Sequence, residues 1–522
     1  NVVDARLIII WGSNSVVSNL HFWRLAQEAK RRGARLIAID PCRTATADKC
    51  DQHIALLPGT DSALALGLMH VLIRDELLDH DYIARHTLGF DALKARALHY
   101  PPARVAAICG IDASEVEHLA REYGSTTPAA IRTNYGINRT AGGGMALRTL
   151  ACLPALTGAW RHPAGGILLS SSGNYPVASA ALERPDLMPS PTPRMINMST
   201  IGQDLLRARP PIKALFVYNS NPVAIAPQSG EVVPGFARDD LFTVVHDLFQ
   251  TDTADYADIL LPATSHMEQL DIHKSYGHLH IQVNQPAIAP LGEAVSNTEL
   301  FRRLASAMCF SEACFADSDE DLCRQAFDWK DPRLAGLSWE KLKADGHARL
   351  NLPRATAPFA NGGFPTPSGK CEFYSTVLAS AGVDPLPDFI APREWRQSPL
   401  ASEFPLALIT PPARNFLNTS FANSARFLAQ EKSPAIHLHP ADAAARAIAD
   451  DSLVRIFNRR GEFQARAIVS DRVRSGVAMA TSIWWRKLSP DGRNCNEVTS
   501  QALTDIGGGA TFYDCLVEVA AV

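Results

Sequence analysis

The feature that most constrains the fold is a β-α-β pattern that occurs twice in the 522-residue chain. Each copy has an apolar run followed by Asn, then a helix-length segment, then a second apolar run that ends in Asp. Asn14 and Asp40 mark the first copy, and Asn221 and Asp247 mark the second, with the same spacing of 26 residues. The agreement in residue type and spacing predicts two related β-α-β units.

The polar residues of each unit fall where a ligand would bind. Short runs of Ile, Leu and Val separated by a helix are typical of buried parallel strands, and ligands bind beyond the carboxyl ends of such strands. Ser13, Asn14, Asp40, Gly59 and Asp61 lie at these ends in the first unit. An acid after the second strand can accept from ribose hydroxyls. Each unit therefore predicts a nucleotide site; a duplicated fold with polar loops and no ligand remains the alternative.

Three loop features allow two interpretations each. Arg43 can hold a phosphate through a charge-assisted hydrogen bond or be a solvated surface residue. Asp61 can cap the helix expected over 61–77 or accept from a purine N–H. The glycine triplet 142–144 can bind an anion ahead of the helix expected over 145–156, or it can form a flexible turn.

Charge and hydropathy exclude several classes of partner. The chain has 50 Lys and Arg against 54 Asp and Glu, so nothing favours nucleic acid or an anionic membrane. No apolar run is long enough to predict a membrane span. The chain starts a few residues before a buried strand, so any export signal is expected upstream of Asn1. We expect a soluble prokaryotic protein, in either the cytoplasm or the periplasm.

The cysteines and histidines predict no metal site. None of the ten cysteines forms a C-x-x-C pair, and neither a zinc nor an iron–sulfur spacing is present. His266, His273, His278 and His280 are close in sequence. They have no Cys or carboxylate at a fixed spacing, so we predict no metal ligand among them.

Composition shifts divide the chain into three predicted domains. We expect a first α/β dinucleotide-binding domain over 1–172 and a second over 173–398. The segment 353–400 is rich in Pro, Gly and Ser, which indicates a boundary near its end. Beyond it, a series of short strands with a hairpin at Arg460 predicts a small β-barrel domain over 399–522.

The chain resembles the dimethyl-sulfoxide-reductase family of molybdopterin oxidoreductases over essentially its whole length. Each matching motif is weak alone, but their order along the chain is specific. The motifs are Trp11–Asn14, Asp40–Ala47, Pro58–Asp61, Tyr218–Pro222, Thr251–Asp258, Leu261–Thr264, Thr366–Lys370, His437–Asp442 and Asn494–Thr499.

This resemblance implies both a fold and a function. The implied fold has two pseudo-symmetric, doubly wound α/β domains and a C-terminal six-stranded β-barrel of the double-psi type. The implied cofactor is a pair of molybdopterin guanine dinucleotides that hold one molybdenum. The chain would be a molybdenum oxidoreductase that performs oxygen-atom transfer or two-electron dehydrogenation on a small-molecule substrate. An electron-transfer protein or subunit would be its partner.

Family positions carried over to this sequence give three groups of cofactor-binding residues. The first dinucleotide would contact Gly12, Ser13, Asn14, Asp40, Arg43, Thr44, Gly59 and Asp61. The second would contact Asn219, Asn221, His246, Asp247 and Thr253. From the barrel, Thr410, Asn418, Asn496 and Tyr513 would reach the pterins.

The chain departs from the family pattern in three ways. The cysteines for a 4Fe–4S cluster and the residue that ligates molybdenum are expected upstream of Asn1. No Arg stands in the loop 170–174, where formate dehydrogenases of the family carry one, so formate is disfavoured as the substrate. Cys42 stands where a basic or aromatic residue is usual, which weakens the assignment of Arg43.

Two other functions are weighed against this one. A nicotinamide dehydrogenase is disfavoured because its G-x-G-x-x-G fingerprint is absent after the first strand, where Gly12 stands alone. A non-catalytic scaffold subunit of a respiratory-type complex would keep the fold and lose the cofactor. Side chains that fill both predicted pockets would favour the scaffold.

Overall fold

The computed structural model describes all residues, 1–522, and its first part is an α/β unit around a five-stranded parallel sheet. Its strands are β1 Leu7–Trp11, β2 Arg35–Ile39, β3 Gln52–Ile54, β4 Thr87–Leu88, β5 Ala129–Thr133 and β6 Gly166–Leu168. Its helices are α1 Ser15–Ser18, α2 Leu20–Arg31, α3 Asp61–Arg74, α4 His80–His86, α5 Phe90–Leu98, α6 Pro102–Cys109, α7 Ala113–Ser125 and α8 Gly143–Leu156. The sheet order is β3-β2-β1-β5-β6, with β4 outside it.

The second part begins with short helices and repeats the first three strands. Its elements are α9 Ser179–Glu183, α10 Ile201–Arg207, β7 Ala214–Tyr218, α11 Pro222–Ile225, α12 Ser229–Phe236, β8 Phe242–Asp247 and β9 Ile259–Pro262. These are followed by β10 Asp271–Lys274, β11 His280–Asn284, α13 Asn297–Ala307, α14 Asp319–Gln325, α15 Trp339–Asp345, β12 His347–Arg349, β13 Cys371–Glu372 and α16 Thr376–Ser380. Strands β7-β8-β9 form a parallel sheet, and β10-β11-β12 form an antiparallel one.

The third part is a closed barrel of six strands. Its elements are β14 Leu406–Ile409, α17 Ala425–Glu431, β15 Ala435–Leu438, α18 Pro440–Ala444, β16 Leu453–Asn458, β17 Gly461–Val469, β18 Val477–Ala480 and β19 Leu516–Ala521. The strand order is β14-β18-β15-β17-β16-β19. Inward-facing residues such as Leu408, Ile436 and Val454 are fully buried and form its core.

The structure confirms the predicted α/β class and the six-stranded C-terminal barrel. The two β-α-β units run in the same strand order, β1-β2-β3 and β7-β8-β9, with parallel pairing throughout. The second parallel sheet has three strands, because no strand pairs with the free edge of β7 in the way that β5 pairs with β1. None of the helices is long and apolar enough to span a membrane.

The segment that precedes the barrel packs on the first α/β unit. Strand β13 pairs in parallel with β4, and Phe373 is fully buried in the core of that unit. The hydroxyl of Tyr82 donates to the carbonyl of Phe359 at 2.6 Å. The boundaries 1–172, 173–398 and 399–522 remain predictions, and these contacts connect the end of the middle range to the first unit.

The barrel contacts both α/β units through equivalent carboxylates. In the first unit, Asp48 accepts from the Arg472 guanidinium of the barrel at 2.9 Å. In the second, Asp255 accepts from the Lys487 ammonium of the barrel at 2.9 Å. The buried carboxylate of Asp252 also accepts from two backbone N–H groups of the barrel, at residues 486 and 487. Both α/β units are therefore attached to the barrel through the carboxylate at the same position of the repeat.

Candidate functional site

A cavity of about 510 Å³ opens where the carboxyl ends of β1 and β2 meet the barrel. Most of the residues predicted for the first dinucleotide line it, together with one predicted barrel residue. These are Gly12, Asn14, Asp40, Arg43, Thr44, Gly59, Asp61 and Tyr513. Ser13 does not line it, because its hydroxyl is buried against the hydroxyl of Ser15 at 2.9 Å.

Asp40 presents a carboxyl group to this cavity with one oxygen free. Its Oδ1 accepts from the backbone N–H of Cys42 at 3.0 Å, and no protein donor contacts Oδ2. The ring Nε2 of His53 donates to the Asp40 carbonyl at 2.9 Å, which fixes the loop. Desolvation raises the pKa of Asp40 to about 7. The residue can therefore accept from, or donate to, a polar ligand near neutral pH.

Asp61 is held by an aromatic donor. The indole Nε1 of the fully buried Trp11 donates to Asp61 Oδ1 at 2.8 Å. Burial raises the pKa of Asp61 to about 6, and the indole hydrogen bond opposes that rise. The residue before α3 is Thr60, whose hydroxyl donates to the Leu57 carbonyl. Asp61 therefore uses its side chain for Trp11 and the cavity, and its hydrogen bonds do not support the helix-cap alternative.

Two glycines bring the backbone close to the cavity. Gly12 and Gly59 have φ values of +62° and +76°, a region that L side chains rarely adopt. A Cβ atom would lie 2.6 Å from Ile137 at Gly12 and 2.7 Å from Pro392 at Gly59. Backbone conformation and space both require glycine at these positions.

Four arginines line the cavity, and the sequence singles out only Arg43 among them. Arg43 and Arg472 share the Asp48 carboxylate, each at 2.9 Å, and this pairing lowers the pKa of Asp48. Arg139 and Arg414 also line the cavity, and neither has a carboxylate partner. Each of these four arginines is more than fifty residues away in sequence from the other three, so no local sequence pattern groups them. Together they make this wall of the cavity basic.

The residues predicted for the second dinucleotide lie at the equivalent strand ends, outside this cavity. Asn221 and His246 are buried, and Asn221 Nδ2 and His246 Nε2 have no hydrogen-bond partner. The His246 Nδ1 donates to the Leu261 carbonyl at 3.2 Å, and burial lowers the pKa of this histidine. Asp247 accepts from the N–H of Leu248 at 2.7 Å, and burial raises its pKa.

The other predicted residues have different surroundings. Asn219 and Asn418 are exposed and have positive φ values of 51° and 54°. Thr410 is buried at the end of β14, where its carbonyl accepts from the Ser482 hydroxyl at 2.9 Å. None of these three residues lines the cavity at Asp40.

Asn496 connects the barrel to the second unit. Its Nδ2 donates to the carbonyls of Ala224 and Ile225 at 3.0 and 3.1 Å. Its Oδ1 accepts from the Thr499 hydroxyl at 3.0 Å. Because both ends of the amide are engaged with protein, a contact with the pterin remains a prediction for this residue.

The glycine triplet 142–144 at the start of α8 does bind an anionic group, and that group is a carboxylate of the protein itself. The N–H groups of Gly144 and Met145 donate to the Asp505 carboxylate at 2.8 and 2.9 Å. A Cβ at Gly143 would lie 2.5 Å from Asn138 Cα, so the turn is closely packed. The triplet therefore anchors the barrel to the first unit.

Comparisons with known proteins identify the family. The molybdopterin oxidoreductase model matches residues 1–307, and the molydopterin dinucleotide binding domain model matches residues 406–516. The chain is 41% identical over 525 residues to "Probable oxidoreductase YoaE" of Bacillus subtilis (strain 168). The alignment covers 100% of this chain and 75% of the relative. It is 29% identical over 596 residues to "Dimethyl sulfoxide reductase DmsA" of Escherichia coli (strain K12), at 100% and 72% coverage.

A solved structure supports the fold. Acetylene hydratase from Pelobacter acetylenicus superposes with a TM-score of 0.83 at 23% identity, covering 100% of this chain and 78% of that chain. The first family model covers more than half of the chain, and the second implies a molybdopterin dinucleotide as the cofactor. The chain therefore belongs to the molybdopterin oxidoreductase family and is an enzyme of that family.

Proposed function

We propose that this chain carries a molybdenum centre held by two molybdopterin guanine dinucleotides, and that the cavity at Asp40 binds one of them. The reaction would be oxygen-atom transfer or two-electron dehydrogenation of a small-molecule substrate. The observation that carries the proposal is the unpaired Asp40 oxygen in a basic cavity between an α/β unit and the barrel.

The groups in the cavity fit the parts of a dinucleotide. The carboxyl groups of Asp40 and Asp61 can accept from the N–H and hydroxyl groups of a guanine nucleoside. Arg139 and Arg414 have no protein carboxylate, so their guanidinium groups are free to bind a diphosphate. The required glycine at Gly59 lets the backbone N–H groups before α3 approach the same phosphates.

Tyr513 would contribute a hydrogen-bond donor from the barrel. Burial raises the pKa of its hydroxyl to about 12, and Arg139 opposes the rise. Tyr513 therefore keeps its proton at neutral pH and can donate to an acceptor nitrogen or oxygen of a pterin. When bound, the molybdenum would supply the two-electron chemistry; the residues of this chain would bind, orient and exclude water.

The second unit fits the same class of ligand through its unpaired atoms. Buried polar atoms without partners are rare in proteins, yet Asn221 Nδ2 and His246 Nε2 both lie at the carboxyl ends of a parallel sheet. Asn221 is the counterpart of Asn14 in the first unit, whereas His246 stands where the first unit has Ile39. A second dinucleotide there would satisfy both groups.

The substrate and the redox partner remain proposals, as does the inference that formate is not the substrate. No side chain of the loop 170–174 is basic, and Arg333 donates to its backbone carbonyls at 3.1–3.2 Å. An electron-transfer protein or subunit would carry the electrons.

The alternative function, a scaffold without cofactor, requires that side chains fill both sites. The open cavity at Asp40 argues against it.

Cofactor analysis of the full-length protein tests this function. We expect molybdenum by mass spectrometry and guanine nucleotide after acid hydrolysis, and we expect Asp40→Asn to lower the nucleotide content by about half or more. The matched control is Asp51→Asn, because Asp51 lies at the opposite ends of the strands and binds the Leu36 N–H at 2.8 Å. Absence of both molybdenum and guanine nucleotide from the wild-type protein would refute the proposal.

A further inference from the structure

Each α/β unit holds its strand-end asparagine with a threonine from the next loop. In the first unit, the Thr46 hydroxyl donates to Asn14 Oδ1 at 2.9 Å and accepts from the Val16 N–H at 3.0 Å. In the second, the Thr253 hydroxyl donates to Asn221 Oδ1 at 2.8 Å. It accepts in turn from the N–H of the residue two positions after Asn221, at 3.0 Å. The threonine hydroxyl makes the same two hydrogen bonds in both units.

The arrangement fixes the orientation of both amides. A backbone N–H can only donate, so Val16 and Val223 occupy the acceptor lone pairs of the two threonines, and each hydroxyl hydrogen is left for the asparagine. In the second unit the Thr253 N–H also donates to Asn221 Oδ1 at 3.1 Å. The Oδ1 atoms must therefore face the protein, and the Nδ2 donors must face away from it.

Both free donors lie where the ligand is proposed to bind. Asn14 lines the cavity beside Asp40. Asn221 is 3% exposed, and its Nδ2 is buried without a partner. A buried amide hydrogen without a partner is costly, so its position in the second unit indicates a missing acceptor.

We propose that Thr46 and Thr253 are positioning residues that aim Asn14 and Asn221 at equivalent acceptor groups of the two dinucleotides. This inference rests on the proposed function and extends it. It assigns Thr253 to holding Asn221 rather than to touching the ligand, and it adds Thr46, the counterpart of Thr253. Thr44 corresponds instead to Thr251, and both accept from the N–H three residues later, at 3.2 Å.

The test uses the full-length protein and counts guanine nucleotide per chain. Thr46→Val and Thr253→Val keep the side-chain shape and remove the hydroxyl, so each should weaken one of the two dinucleotides about tenfold. The purified variant should then hold about half the wild-type nucleotide after equal dialysis. Thr46→Ser and Thr253→Ser restore the hydroxyl and should restore the content.

A second pair of equivalent hydrogen bonds provides a structural control. In the first unit, the Asp51 carboxylate accepts from the Leu36 N–H. The Asp258 carboxylate accepts from the Thr243 N–H at 2.7 Å, at the amino ends of the same strands and away from the ligand. Asp258→Ala should lower the thermal midpoint and leave the nucleotide content unchanged. Equal nucleotide loss in Asp258→Ala and Thr253→Val would overturn the positioning role, as would full retention in both valine variants or no rescue by serine.

The outcomes separate this inference from the proposed function. Two nucleotides in the wild type with unchanged valine variants would refute the positioning role alone. No nucleotide in the wild type would refute the proposed function, and the positioning role with it. The ratio of wild type to variant therefore tests the threonines, and the absolute wild-type content tests the site.

Discussion

At the scale of single residues, Asp40 makes the stability of the fold depend on pH. Its pKa is raised from 3.8 to about 7 by desolvation. The folded protein therefore keeps this proton over a range where the unfolded chain has lost it. The resulting stabilisation is complete below about pH 4 and is lost as the pH rises through about 7. Asp61, with its pKa raised to about 6, acts in the same direction.

Asp40→Asn should flatten this dependence in ligand-free protein. The amide stays neutral at every pH, so the fall in unfolding free energy between about pH 4 and about pH 7 should be shallower by up to about 1.4 kcal/mol per pH unit. Urea denaturation across that range measures the slope. The same slope in variant and wild type would show that Asp40 ionises normally in the fold.

Gly12 should tolerate no side chain. Gly12→Ala forces a positive φ on alanine and places its Cβ 2.6 Å from Ile137, so we expect a loss of about 2–4 kcal/mol of stability. Gly33→Ala is the control, since Gly33 has a φ of +96° and nothing within 4 Å of its Cβ. It should cost only about 1 kcal/mol. Similar losses for the two variants in denaturant titrations would contradict the close contact.

Single residues also show what the sequence can and cannot predict about the site. Asp40 and Asn14 were predicted because a polar residue at the end of an apolar run marks a strand end. Arg139 and Arg414 were not, because an arginine that lines a cavity has the same local sequence as one on the surface. Thr46 was missed for another reason. Its importance depends on a hydrogen bond to a residue in a different loop.

At the scale of secondary structure, the contact between the barrel and the second unit depends on Asp252. Its buried carboxylate accepts from the N–H groups of Arg486 and Lys487 at 3.0 and 3.1 Å. Asp252→Ala leaves both donors without a partner and should cost about 2–4 kcal/mol.

The neighbouring Asp255→Ala is the matched control for this prediction. It removes an ion pair to Lys487 whose side chains are about one third exposed, and it should cost at most about 1 kcal/mol. Denaturant titrations followed by tryptophan fluorescence compare the two variants, because Trp484 and Trp485 lie beside this contact. If Asp255→Ala cost more than Asp252→Ala, the assignment of the main contact would be wrong.

Strand prediction succeeded where apolar runs are long. Strands β1, β2, β7 and β8 follow directly from the repeated pattern. The pairing of β4 with β13 has no sequence signal, because strands of two residues are too short for any periodicity. The helix expected over 61–77 ends at Arg74, where the apolar face ends and Asp75 follows.

At the scale of the whole molecule, Glu394 connects the segment on the first unit to the barrel. Its carboxylate pairs with the Arg460 guanidinium and accepts from the Leu516 N–H at 2.7 Å, and both side chains of the pair are largely buried. Glu394→Ala leaves a buried cation without its partner, so we expect a loss of about 3–5 kcal/mol.

An exposed pair between neighbouring segments provides the control for Glu394. Glu403→Ala removes the ion pair to Arg459, whose side chains are 49% and 71% exposed, and should cost at most about 1 kcal/mol. The two variants are compared by urea denaturation at one salt concentration. A loss near 1 kcal/mol for both would show that water reaches the Arg460 pair.

The pairing of β4 with β13 has a consequence for synthesis. Phe373 fills the interior of the amino-terminal unit, and Tyr82 and Tyr100 bind partners 277 and 288 residues further along the chain. Until the middle region had been translated, the first unit of a nascent chain would expose the apolar surface that Phe373 covers in the folded protein. The first α/β unit is thus completed only after the middle region has been made, and its exposed apolar surface would be a target for a chaperone in the meantime.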